Sequence, residues 1–355
     1  MFHSFYKSKK WALWAYGGGL LLITSLWIQV QFTVAINVWY KGFYDLLQNA
    51  KDYYDKSDEG ITLFYDKLVS VDYILNSFEG EPSWLVLATP YIILATATGW
   101  FTRVYTLQWR EAITFDFIPR WRSVEEEIEG ASQRIQEDCY KFADIVQSLG
   151  LQIVRAFMTL IAFVPILWTL SEKVDIPILR DIEGSLVWLA LCVSLGGLVV
   201  SWFVGIKLPG LEYNNQKVEA AFRKDLVLGE DNKTQYAQPE TLFELFTGIR
   251  FNYRRLFWHY GYFDLWAHFY DQFMSIAPYL IMGPSLFTGK ILLGIMIQVS
   301  NAFGKVHGSF SLFLHNWTRI TELRSIYRLF SALLSRKRCR PPSNLLICMV
   351  SDNFT

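Results

Sequence analysis

Six long apolar runs, near Trp11–Val38, Trp84–Tyr105, Leu151–Leu170, Leu186–Ile206, Tyr262–Leu286 and Ile291–Leu314, most constrain what this chain can fold into. Each is long enough, or nearly so, to cross a hydrocarbon layer of ~30 Å as a helix. Runs such as GGGLLLITSLWIQV (17–30) and SLVWLALCVSLGGLVVSWFVGI (185–206) are apolar on every side. A helix that is apolar all round belongs in lipid, whereas a soluble helix would show one polar face. The sequence therefore predicts an all-α integral membrane protein with six transmembrane helices.

Charge distribution orients these spans. With the N-terminus in the cytoplasm, the inside segments (1–10, 101–150, 207–261 and 316–355) carry 24 Lys and Arg, and the outside segments (39–83, 171–184 and 282–294) carry 7. That asymmetry is the positive-inside pattern and predicts that both termini are cytoplasmic. Trp11, Trp14, Trp39, Tyr40, Trp84, Trp100 and Trp109 lie near span ends, where an aromatic belt would place them. The first span is too long for a cleaved signal peptide and is expected to remain. The four cysteines lack metal spacing, and three fall on the expected cytoplasmic side, which disfavours disulfides. Residues 1–334 read as a single transmembrane domain, and 335–355 as a basic tail.

The two inside segments of roughly fifty residues read as helical. Between Arg110 and Gln147 only Pro119 and Gly130 interrupt a run of good helix formers. Spans two and three are expected to continue into the cytoplasm and meet in a hairpin near 119–131. Lys217–Leu228 is strongly helical, Gly229 ends or kinks that helix, and Pro239 can start the next. Long cytoplasmic extensions of this kind suggest an ABC-exporter-like transmembrane fold. No G-x-x-x-x-G-K-[ST] is present, so the chain carries no nucleotide-binding domain of its own. The energy source is then either a separate ATPase or an ion gradient.

Polar residues are concentrated in three places. Glu126, Gln133, Glu137 and Asp144 fall within about 20° of one line on a helix, with Glu129 and Arg134 beside it. Glu219 and Glu230 are eleven residues apart, close to three turns, and share a face if the helix survives Gly229. Stacked carboxylates facing a cavity can relay protons, because burial and like charge raise their pKa. The same residues also fit solvated helix faces paired with Arg134, Lys141, Arg223 and Lys224. In span five, Asp264, His268 and Asp271 recur at spacings of four and three, so they share a face that could line a substrate cavity. Lys305 and His307 of span six could line it too. The alternative is an interfacial helix end. Arg155, one turn into span three, reads as a snorkelling residue. Trp39 and Tyr40, in an aromatic cluster where span one meets the outside, fit either a belt or a gate. No zinc motif, nucleophile elbow or phosphate loop occurs, and no basic aromatic surface suits nucleic acid, so no metal, cofactor or enzyme is expected.

At these residues the chain resembles the SbmA/BacA peptide transporters of bacterial inner membranes. The stretches that carry the resemblance are NVWYKGFYDLLQ (37–48), IEGASQRIQED (128–138), MTLIAFVPIL (158–167), GIKLPGLEYNNQKVEAAFRKDLVLGEDN (205–232), FTGIRFNYRRLFWHYGYF (246–263), GIMIQVSNAFGKVHGSF (294–310) and NWTRITELRSIYRLF (316–330). The resemblance implies a homodimer around one central cavity. It also implies import of antimicrobial peptides, proline-rich or microcin-like, driven by protons. It places cavity glutamates at Glu137, Glu219 and Glu230. A further glutamate position falls on Gln147, with Asp144 one turn earlier as a substitute. Three departures stand out: less apolar sequence before Asn37 than is usual, an enlarged outward segment near Thr62–Glu81, and the tail RKRCRPPSNLLICMVSDNFT. These departures suggest a shortened relative that folds yet transports poorly.

Overall fold

The computed structural model describes residues 2–75, 78–122, 134–174, 182–236, 238–316, 318–320, 322–324 and 326. Among the described residues every regular element is helical. A short helix α1 (Phe2–Tyr6) precedes a π turn, Leu13–Gly18, that runs into α2 (Gly19–Gln48). A 3-10 turn (Ala50–Lys56) and α3 (Ser57–Val69) follow, then α4 (Trp84–Arg122). The π turn Arg134–Asp138 leads into α5 (Cys139–Ser171), and α6 spans Ser185–Gly205. Then come α7 (Leu208–Asp231), α8 (Pro239–Phe287) and α9 (Leu293–His315).

Among the described residues, four helical stretches are long and apolar enough to cross a membrane: Leu13–Gln48, Trp84–Pro119, Ile135–Ser171 and Ser185–Gly205. The fifth apolar run falls within α8, of 49 residues, and all but the first two residues of the sixth within α9, of 23 residues. At 1.5 Å per residue these are about 74 and 34 Å long. They have the length to cross, but Asp264, His268 and Asp271 in one and Lys305 and His307 in the other dilute their apolar character.

Helix α9 sits at the centre and packs against α2, α5, α6 and α8. Its Val299, Ala302 and Phe303 join Phe163 and Leu167 of α5, Leu186 and Ala190 of α6, and Met274 and Met282 of α8 in the larger apolar core. A second core gathers Phe5, Trp11, Tyr105, Trp109 and Phe142. Phe5 is fully buried and stacks on Trp109 at 5.5 Å. Trp11 and Trp109 therefore depart from the aromatic-belt expectation: they are 8% and 2% exposed and belong to a packed interior.

Two close approaches fix the bundle. Gly197 of α6 faces Tyr270 of α8 so tightly that a Cβ there would lie 2.0 Å from the ring. The Tyr270 hydroxyl donates to the Val193 and Ser194 carbonyls at 3.2 Å, and the Trp266 indole N–H donates to Ser201 at 2.8 Å. Small residues at Ser194, Gly197 and Ser201 let the two backbones meet, as membrane helix contacts require. The start of α9 is capped from α2. Asp45 accepts the Gly294 N–H at 2.9 Å and Gln48 accepts the Leu293 N–H at 2.6 Å. These side chains satisfy N–H groups that have no partner inside the helix, and the Asp45 charge complements the helix dipole.

Helix α7 continues through Gly229, and α8 begins at Pro239. The two helices pack together, with Leu208 and Leu211 against Leu256. The expected hairpin near 119–131 and the tail 335–355 lie largely or wholly outside the described residues.

Candidate functional site

A polar cavity opens among α2, α4, α5, α8 and α9. Its larger chamber, about 770 Å³, is bordered by Asn37 and Tyr40 of α2, Asp271 and Ser275 of α8, and Asn301, Lys305 and His307 of α9. A second chamber of about 430 Å³ is bordered by Gln29, Gln152, Arg155 and Thr159. The two share Thr33, Tyr91, Gly304 and Lys305 as a common wall. A cavity of this size, apolar in part and with a few convergent polar groups, is the ordinary form of a ligand site.

Charge in the cavity is segregated. Asp271 approaches His307 Nε2 at 3.5 Å and His315 Nε2 at 3.7 Å. Tyr270 sets its ring edge-on to His307 at 5.0 Å. In the smaller chamber Arg155 donates to Gln29 Oε1 at 2.7 Å, and Gln29 in turn donates to Thr98 at 2.8 Å. A short hydrogen bond joins Thr98 to Ser25 and completes a polar thread between α2 and α4. Arg155 thus differs from the snorkelling expectation, because its guanidinium turns to a neighbouring helix. Asn37 is 3% exposed, and neither its amide nitrogen nor its oxygen has a hydrogen-bond partner. An unpaired buried amide is costly, and this one belongs to a residue on the cavity wall.

The structure separates the residues singled out from sequence. Asp271 and Tyr40 line the cavity, whereas Asp264 and His268 of the same helix are exposed. Trp39 stacks on Phe43 at 4.7 Å and donates to the Lys67 carbonyl at 3.0 Å, which ties the C-terminal end of α2 to α3. None of Glu137, Asp144, Glu219 and Glu230 borders either chamber. Glu137 pairs with Lys141 at 2.9 Å, and Lys141 also reaches Glu322 at 3.3 Å. Asp144 and Glu219 are half-buried and Glu230 is exposed; α7 carries Glu219 and Glu230 on one uninterrupted helix. Glu129 and Glu126 lie outside the described residues. Gln147 is 5% exposed; its side-chain oxygen accepts from Thr106 at 3.3 Å, and its amide nitrogen is buried without a hydrogen-bond partner.

Sequence reasoning did not single out Gln29, Glu212 or Glu322, and it did not see Asn37 as an unpaired amide. Burial, and then the nearby Glu322 carboxylate, hold Glu212 above the usual carboxylate range. Glu212 and Glu322 thus join Glu137 and Lys141 in a charged cluster at the end of the bundle. One signal for the smaller chamber was present in the sequence. Gln152, Arg155 and Thr159 recur at spacings of three and four, a polar stripe on an otherwise apolar helix.

Similar proteins carry the same stretch of chain. An ABC transporter ATP-binding protein of Escherichia coli K12, YddA, is 25% identical over 302 residues, covering 76% of this chain and 54% of that protein. A Synechocystis protein named as an ABC transporter ATP-binding protein is 27% identical over 73% of this chain and 41% of its own length. The chloroplastic ABC transporter D family member 2 of Arabidopsis thaliana is 27% identical over 79% of this chain and 40% of its own. The chain spans about half the length of these relatives. Residues 8–336 match the SbmA/BacA-like family, and with the apolar helices already described this makes the chain a member of the SbmA/BacA-like family of membrane transporters.

Proposed function

We propose that this protein imports peptides, proline-rich or microcin-like among them, across the bacterial inner membrane as a proton-driven homodimer. The observation that carries the reading is the cavity. Among the apolar helices, Asp271, Lys305, Arg155 and Asn37 border one polar cavity, with Asn37 buried, Asp271 half-buried and the Lys305 and Arg155 side chains open to solvent. Polar and ionisable groups at membrane depth are expensive and mark a transport path. Asn37, on the cavity wall, carries a donor and an acceptor that a side-chain rotation would bring to a peptide group. Family membership supports transport as the activity. In this reading α8 and α9 are the fifth and sixth spans of an ABC-exporter-like fold, and both termini are cytoplasmic. The cavity opens outward, binds peptide and protons, and the two subunits rock to release both inside. Glu137, Glu219 and Glu230 take up the protons, with Asp144 in place of a carboxylate at Gln147 and Glu129 beside the first of them. Their protonation removes repulsion and permits the switch. Exposed aromatic residues along α8, among them Phe251, Phe257, Trp258 and Phe269, suit contact with lipid or a second subunit.

The test is uptake of a fluorescent proline-rich peptide by cells lacking other peptide importers. Changing Glu137, Glu219 and Glu230 together to Gln should reduce uptake at least about tenfold, given the free energy a protonatable group contributes. Full uptake by the triple variant, at equal protein level, would sink the relay.

A second reading is favoured by the names of the relatives, which are ABC transporter ATP-binding proteins of about twice the matched length. In it the chain is the membrane part of an ABC transporter whose ATPase is a separate chain. Co-purification of a P-loop ATPase, with uptake lost on changing its phosphate-binding lysine, would decide for it.

A further inference from the structure

The smaller chamber presents two cations to one space. Arg155 enters it from α5 and Lys305 from α9, and the two repel each other. Among the described residues no carboxylate pairs with either. Arg155 gives one of its donors to the neutral Gln29 oxygen and keeps the rest of its fork. The one acidic group on the cavity wall, Asp271, stands by His307 and His315. Two like charges that face one space repel each other, and a bound anion removes that repulsion. A guanidinium with a free planar edge matches a carboxylate in bidentate fashion, and an adjacent ammonium adds a point charge.

The geometry points to a carboxylate site between Arg155 and Lys305 that receives the C-terminal carboxylate of a bound peptide. This deepens the peptide-import reading and rests on it. Lys305 lies on the wall common to both chambers, so a peptide anchored there continues into the larger one. There the wall formed by Asn37, Asp271 and Ser275 runs beside its backbone. The arrangement gives the peptide a direction in the cavity, carboxylate in the small chamber and the remainder in the large one.

Binding to the purified full chain in nanodiscs tests this without reference to proton coupling. Two fluorescent proline-rich peptides are compared, identical but for a free carboxylate or an amide at the C-terminus. The wild type should bind the acid about tenfold or more tightly than the amide, the scale of one lost charge-assisted hydrogen bond. Arg155→Gln and Lys305→Gln should each weaken binding of the acid, leave the amide unchanged and erase the difference. Arg155→Lys, which keeps the charge without the fork, should restore part of the preference. Equal binding of acid and amide to the wild type overturns the site while leaving peptide transport standing. So does an equal loss of both peptides in variants that elute as well-folded protein. Binding of neither peptide overturns the import reading and the carboxylate site together.

Discussion

At the scale of single residues, the role proposed for Asn37 opposes stability. Its amide is buried and unpaired, a condition that costs roughly 1–3 kcal/mol. Asn37→Leu should therefore raise thermal stability while weakening peptide binding, and thermal unfolding read beside a binding curve checks both. A variant that is less stable and binds unchanged would assign Asn37 to packing. Glu212 makes a pH-dependent prediction. Its carboxyl is held above the ordinary range by burial and by Glu322, so the folded chain binds its proton more tightly than the unfolded chain does. Stability then falls as pH rises from the ordinary carboxylate value through the raised one, and stays low above it. Glu212→Gln should be more stable than wild type at pH 8, by up to about 2 °C in midpoint, with the gap narrowing toward pH 4. Parallel pH profiles for the two proteins would contradict this. Helical spacing put Asp264, His268 and Asp271 on one face, yet Asp271 borders the cavity while the other two are exposed, and Tyr40, read from an aromatic cluster as belt or gate, borders it too. The partner of Arg155 was not legible, because an arginine one turn into an apolar run looks the same whether it reaches for water or for Gln29, 126 residues away. Trp11 and Trp109 were misplaced for the same reason: an indole near a span end is written identically in a belt and in a core.

At the scale of elements, the crossing of α6 and α8 is set by what Gly197 lacks. A side chain there meets the Tyr270 ring, so Gly197→Val should cost about 1–3 kcal/mol through overpacking. Thermal unfolding in detergent would register this, and an unchanged midpoint would mean that the helices do not approach so closely. The apolar runs, the start of α8 at Pro239 and the helical inside segments all followed from composition and local propensity. Whether α7 ends at Gly229 did not. A glycine in a helix costs about 1 kcal/mol, and here packing against α8 outweighs it, with Gly229 itself buried. The capping of α9 by Asp45 and Gln48 was also hidden, since the partners lie about 250 residues apart in sequence.

At the scale of the whole molecule, the helices enclose a charged cavity, while large apolar side chains such as Phe243, Phe257 and Leu265 face outward along α8. A polar cavity bordered by helices whose outer faces are apolar suits a path across lipid. Transport itself is the property to test, by uptake of a fluorescent proline-rich peptide into proteoliposomes containing only this purified protein, with and without an imposed proton gradient. Accumulation that appears with the gradient, collapses on adding a protonophore and needs no ATP is the expected result. No accumulation by folded, dimeric protein under a verified gradient would contradict autonomous proton-driven import.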